Sequence, residues 1–279
     1  MIRLQKRLNS AISSAKETIY PIIPSAISII GWARTLLSTF YSQIQQQTLK
    51  RGNMKTKRRS IDQIVEEQVR AWQIMHRERV GKPELPVITV SREPGSGGKL
   101  VAARIAEKCG LDLFHQEIVH EMAINAQAEP RILESLDEKR LSTLEDWISS
   151  LIHRRHIWPD EYLKHLMKVV GTIGKHGKAV IVGRGANFIL PPEKRFRVRV
   201  IAPRKDRISN VAREFNVPME DAKRRVIKTE SQRIAFVRKY FNADISDPLN
   251  YDLVINTKTC SLDAVGGAVC GMLSHWLHP

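Results

Sequence analysis

Between Ser91 and Leu100 the chain reads Ser-Arg-Glu-Pro-Gly-Ser-Gly-Gly-Lys-Leu, with three glycines and a lysine inside five residues. Glycines let successive backbone N–H groups turn toward one anion, and a lysine beside them adds a full positive charge. Gly95, Ser96, Gly97, Gly98 and Lys99 are therefore candidates for holding the phosphates of a nucleotide. The match to the phosphate-loop pattern G-x-x-x-x-G-K-[ST] is partial. Glu93 stands where the first glycine belongs, and Leu100 where a magnesium-binding hydroxyl belongs. An acid at the mouth of an anion site calls for a cation, either a metal or a basic neighbour. Glu93 is thus a candidate magnesium ligand, and Arg92 a candidate partner on the acceptor side.

A second set of charges lies between Pro203 and Asp247, where seven arginines occur, among them Arg207, Arg213, Arg233 and Arg238. In-line phosphoryl transfer asks a protein mainly for positioning and for cations on the transferring group, which a mobile arginine-rich lid supplies. His153 and His156 sit three apart, a spacing able to chelate a metal, but no carboxylate or cysteine pattern completes the set. They read as a solvated helix face. No Ser/His/Asp or Cys/His arrangement stands out, so nothing requires covalent catalysis.

These side chains need a frame that points them at one place. Val87–Val90 is a short β-branched run of the kind that forms a buried parallel strand, and Leu100 to Cys109 behind the loop has helical spacing, closed by Gly110. Further strands are expected at Leu111–His115, Ala179–Val182, Phe196–Ala202 and Tyr251–Asn256, with a long helical region from Gln116 to about His176. Strands separated by helices predict a parallel α/β sheet covered on both faces, with ligands at the carboxyl ends of its strands. The glycine loop, Arg184 and Asn256 all fall at such ends.

The chain has 279 residues and a formal charge of +16. Residues 1–60 carry eleven basic side chains against the single acid Glu17, so most of the excess belongs to the amino-terminal segment. With aromatic content of 6% there are few stacking platforms, and no specific nucleic-acid partner is expected. Residues 19–41 are mostly apolar, yet Pro21, Pro24 and Arg34 argue against a membrane helix; peripheral membrane contact is the weaker reading and a loose appendage the stronger. Residues 1–53 read as a basic, partly apolar extension, with Met54 an alternative start, and residues 54–84 as a helical leader and linker. The leader helix has Ser60 as N-cap and an apolar face formed by Ile61, Ile64, Val65, Val69, Trp72 and Met75. Residues 85–279 form the working domain. Three cysteines, Cys109, Cys260 and Cys270, show no paired spacing, so neither a disulfide framework nor a structural zinc site is expected and a reducing cytoplasm fits.

Four segments, in this order, resemble the cytidylate kinase-like family: Val87 to Lys99, Ile181-Val-Gly-Arg-Gly-Ala-Asn187, Arg233 to Phe241, and Asp247 to Thr257. The resemblance implies a three-layer P-loop kinase fold with a parallel five-stranded sheet, a helical insert for the nucleoside monophosphate over about 116–176 and a helical lid over about 203–247. The activity it implies is ATP-dependent phosphorylation of a nucleoside monophosphate, CMP or dCMP, with Mg²⁺, and its partners are nucleotides. Carried over by position, Gly95 to Lys99 hold the ATP phosphates and Arg184 contacts the acceptor phosphate. Lys99, Arg184, Arg233 and Arg238 are the expected catalytic residues, with Arg92, Arg207 and Arg213 on the lid or acceptor side. Two places depart from the family pattern: Gly185 stands where an aspartate follows the Gly-Arg pair, and Leu100 where a hydroxyl follows the loop lysine. They leave open an alternative, a regulatory protein of the same fold that binds nucleotide without turning it over.

Overall fold

The computed structural model describes residues 60–78 and 87–276. The expectations for residues 1–53, for the apolar stretch 19–41 and for a start at Met54 lie outside the described residues. Five parallel strands form one sheet: β1 (Val87–Arg92), β2 (Asp112–Phe114), β3 (Ala179–Val182), β4 (Arg195–Ile201) and β5 (Leu253–Asn256), in the order β2-β3-β1-β4-β5. Every residue of β1 and β3 is buried, in keeping with the β-branched runs Val87–Val90 and Val180–Val182 that make up most of them. Val87 pairs with Ala179 on one side and Arg195 on the other, so the chain passes to opposite sides of β1 and opens a crevice at its carboxyl end.

Helix α1 (Ile61–Glu78) is fixed at its start by a reciprocal cap, in which Gln63 N–H donates to Ser60 Oγ (3.2 Å) and Ser60 N–H to Gln63 Oε1 (3.1 Å). Its apolar face packs into the core: Val65 and Trp72 are buried, and the Trp72 ring stacks on His176 at 4.1 Å. The loop helix α2 is Gly98–Cys109. After β2 come α3 (Gln116–Ile124), α4 (Ala128–Leu133), α5 (Glu138–Arg155) and α6 (Glu161–His176). A short α7 (Ala186–Ile189) follows β3. The segment expected to be the lid forms α8 (Arg204–Phe215) and α9 (Met219–Phe241), ended by Asn216 and Asn242 in left-handed conformations. Helix α10 (Leu262–Trp276) closes the described chain.

Alternate residues of the sheet feed two cores. Ile88, Val90, Val198 and Val200 meet α2 and α10, whereas Val87, Phe114, Ala179 and Ile181 meet α1, α3, α6 and the end of α9. The tip of the lid has a small cluster of its own, Val211, Ala222 and Val226, between α8 and α9. No described helix is long and apolar enough to cross a membrane.

The cysteines correct the sequence reading. Cys109 at the end of α2 and Cys270 in α10 form a disulfide, their Cα atoms 5.7 Å apart, while Cys260 is free and exposed. No local spacing announces a pair 161 residues apart; it arises because the two helices pack side by side on one face of the sheet. Closing so long a loop contributes up to about 5 kcal/mol by chain entropy. Purified, oxidised protein is therefore expected to melt at a higher temperature than the same protein in reductant. Coincident thermal transitions would show that the bridge adds nothing.

Candidate functional site

The loop after β1 turns on Gly95, whose φ of +77° suits glycine and whose absent side chain leaves room for the Arg207 backbone: a Cβ there would lie 2.3 Å from the Arg207 carbonyl oxygen. Loop carbonyls are tied back by side chains, one from within the loop and two from outside it. Ser96 Oγ donates to Glu93 O (2.9 Å), Asn210 Nδ2 to Gly95 O (2.9 Å) and Thr257 Oγ1 to Ser96 O (2.8 Å). With its carbonyls so engaged and no side chain capping α2, the loop presents the first N–H groups of that helix, together with the positive end of its dipole, to the crevice.

Two adjoining cavities open there. The larger, about 750 Å³, is bounded by Pro94, Gly95 and Gly97 to Leu100 on one side and by Val211, Arg213, Phe215 and Arg225 of α8 and α9 on the other. The smaller, about 360 Å³, lies among Gly183, Arg184, Asn187, Gln232 and Phe236. Arg92, Gln116, Thr229 and Arg233 line both and so form the boundary between them. No carboxylate lines the smaller cavity. Asn187, which also lines it, is buried, and its amide nitrogen has no partner.

The boundary is a cluster of cations. Arg92 is only 5% exposed and donates to the Gln116 side-chain oxygen, while Arg233 Nη1 donates to the Arg92 carbonyl (2.8 Å). Burial, and then the charge of Arg233, pushes the Arg92 guanidinium down to about 9, with Arg184 and Arg199 acting in the same direction and Glu117 opposing. Burial, followed by Arg199, holds Arg233 at about 10. Four guanidiniums gathered against one carboxylate are repulsive by themselves, and an anion placed among them removes the penalty.

The sequence candidates separate in space. Arg184, at φ +54°, reaches the Gln116 carbonyl (3.4 Å) and lines the smaller cavity. Exposed Arg213 lines the larger, bonded to Asn210 (3.0 Å). Arg207 lies buried beneath the loop, its Nε 3.2 Å from Glu93 Oε2 and its Nη2 3.1 Å from Glu230 Oε1, so it clamps loop to lid. Glu93 Oε2 also accepts from the Ala202 N–H (3.1 Å). Arg238 is exposed on α9 and lines neither cavity. The His153–His156 segment serves packing: the Arg155 guanidinium reaches the Phe241 carbonyl (3.1 Å) and lies over the Phe188 ring.

Three residues escaped the sequence reading. Lys99 Nζ forms an ion pair with Glu117 Oε1 at 2.9 Å, both side chains about half exposed. Burial tends to raise the Glu117 carboxyl, but bonds from Lys99, its own backbone and Gln116 bring it down to about 2. Gln116 links the two cavities. Arg199, buried on β4, donates to Ser91 Oγ (2.8 Å) and lies over the Tyr251 ring. The signal for Arg199 was present. Arg195, Arg197 and Arg199 alternate with apolar residues, yet a strand between two parallel neighbours has no solvent face, so those arginines have to be buried or paired.

A cytidylate kinase of Aeropyrum pernix is 27% identical over 175 residues, covering 62% of this chain and 91% of that protein. One from Desulfurococcus amylolyticus is 30% identical over 178 residues, covering 63% and 86%. The crystal structure of an uncharacterized protein from Eubacterium ventriosum superposes with a TM-score of 0.54 at 21% identity, over 69% of this chain and 99% of that one, which shows the shared fold. Residues 87–259, from the first strand past the last, match the model of the cytidylate kinase-like family, and the chain belongs to that family of phosphotransferases.

Proposed function

We propose that the protein transfers the γ-phosphoryl group of ATP to a nucleoside monophosphate, CMP or dCMP, giving ADP and the nucleoside diphosphate. The observation that carries this reading is the pair of adjoining cavities with one cationic boundary: a phosphate loop on one side, a carboxylate-free, arginine-lined pocket on the other. In this reading the triphosphate lies along Gly95 to Lys99, and Arg184 orients the acceptor phosphate. An acceptor phosphate oxygen attacks the γ-phosphorus as the bond to the β-phosphate oxygen breaks, and Arg92 and Arg233 sit where negative charge is shared between the two nucleotides. The protein forms no covalent bond. ATP and monophosphates are intracellular metabolites, so the reading places the protein in the cytoplasm, a compartment in which the Cys109–Cys270 bridge would be exposed to reduction.

Magnesium supplies charge neutralisation between the phosphates in this chemistry. Among the described residues no group of three side chains could cage a metal. A cage is not what this ion asks for: beside nucleotide phosphates Mg²⁺ takes one or two carboxylates and completes its shell with water and phosphate oxygens. Glu93, Glu117 and Glu214 line the larger cavity, so the donor set fits.

Incubating protein, ATP and Mg²⁺ with CMP, dCMP, UMP, AMP or GMP and separating the nucleotides tests the reading. CDP and dCDP are the expected products. ATP binding without any diphosphate from the five acceptors would reject the kinase and favour a nucleotide-binding regulator.

A further inference from the structure

We infer that Glu117 is the magnesium-binding carboxylate of the donor cavity, taking the part that Leu100 leaves vacant in the phosphate loop. The inference rests on the kinase reading above. Leu100, directly after the loop lysine, is 61% exposed and offers no oxygen. Of the three carboxylates lining the donor cavity, Glu93 has its Oε2 taken by Arg207 and the Ala202 N–H, which fastens it to the frame beneath the loop. Glu214 stands in the last turn of α8, on the lid wall. Glu117 alone touches the loop lysine, at 2.9 Å, from the first turn of α3.

Charge makes this more than proximity. A carboxylate at the entrance to a polyphosphate site is repulsive unless a cation stands between them. Without nucleotide that cation is Lys99. Once the β- and γ-phosphates draw Lys99 away, Glu117 faces polyanionic ATP with the compensating cation gone. The divalent ion that accompanies ATP restores the balance, bound to the carboxylate directly or through a water. Glu117 then has two partners in succession, Lys99 when the site is empty and magnesium when it is filled.

The competing role is a simple latch that occludes Lys99, and the two roles predict different metal dependence. Calorimetric titration of the full chain with ATP, in Mg²⁺ and in chelator, compares the parent with Glu117→Gln. The side chain is half exposed and the amide isosteric, so the thermal midpoint should hardly move. Metal-free ATP is expected to bind the variant more tightly, because Lys99 is released and a negative charge is gone. The enhancement of binding by Mg²⁺ is expected to fall by about tenfold. Glu117→Asp should retain part of that enhancement, and Mn²⁺ in the ATP complex of Glu117→Gln should lose the protein contribution to its electron paramagnetic resonance spectrum. An undiminished Mg²⁺ enhancement in Glu117→Gln, with both forms of ATP simply bound more tightly, would overturn the metal assignment and leave the latch. Failure of the parent to bind ATP in either form would overturn the kinase reading, and the assignment with it.

Discussion

Lys99→Ala is expected to lower kcat/KM for ATP by about a hundredfold to a thousandfold, the range found when one preorganised donor to a transferring anion is removed. Two losses combine. The variant lacks the cation that reaches the phosphates, and it leaves Glu117 as an uncompensated charge at their entrance, since that carboxylate is held at about 2 partly by its bond from Lys99. Stability should hardly change, because an ion pair with both side chains about half exposed contributes within about 1 kcal/mol. Adding Glu117→Gln should recover part of the lost affinity for metal-free ATP by removing the second effect, a non-additivity expected of residues in direct contact. Titration with ATP and steady-state kinetics on the three variants separate the contributions. ATP affinity unchanged by Lys99→Ala would refute the phosphate-loop assignment.

Much of this was legible from the sequence because it is carried by local pattern. β1, the glycine turn and α2 follow one another without a gap, and both the alternation of strands with helices and the helical character of residues 204–241 survive in the fold with small boundary changes. What sequence could not supply was which charges converge. Arg233 and Arg238 are five residues apart on α9 and identical in type, yet the first lines both cavities and the second neither, because five residues turn the helix away from the crevice. Arg207 lies in the same run but on the face turned into the protein, where Glu93 and Glu230 neutralise it. Glu117 meets Lys99 only because β2 delivers α3 to the carboxyl end of the sheet beside the loop, a juxtaposition made by topology and by nothing in the spacing. The Cys109–Cys270 bridge has the same origin, two helices far apart in sequence on one face of the sheet.

The departure at Gly185 has a steric account. Gly185→Asp, which would restore the acid of the family pattern, is expected to destabilise the fold by about 3 to 4 kcal/mol: roughly 1 kcal/mol for a side chain in the left-handed region and about 2 to 3 for overpacking. Gly185 sits at φ +67°, and a Cβ there would come within 2.2 Å of Phe241 Cε2 and 2.6 Å of its Cζ. Phe241 cannot readily give way, being fully buried and stacked on Phe188 at 5.2 Å. Urea unfolding of the variant measures the effect, and stability within about 0.5 kcal/mol of the parent, as for an ordinary surface change, would remove the explanation. Combining Gly185→Asp with Phe241→Leu should cost less than the sum of the single changes, because the two compete for one space. With the ring of Phe241 in that space, an acid at position 185 is not available to hydrogen-bond an acceptor nucleotide. Beside Arg184, the same turn brings to the smaller cavity the side chain of Asn187, buried and with its amide nitrogen unpartnered. A buried donor left unsatisfied costs free energy until some group accepts from it, so under the proposed kinase function this amide, two residues further on, is the candidate to take the part of the missing carboxylate.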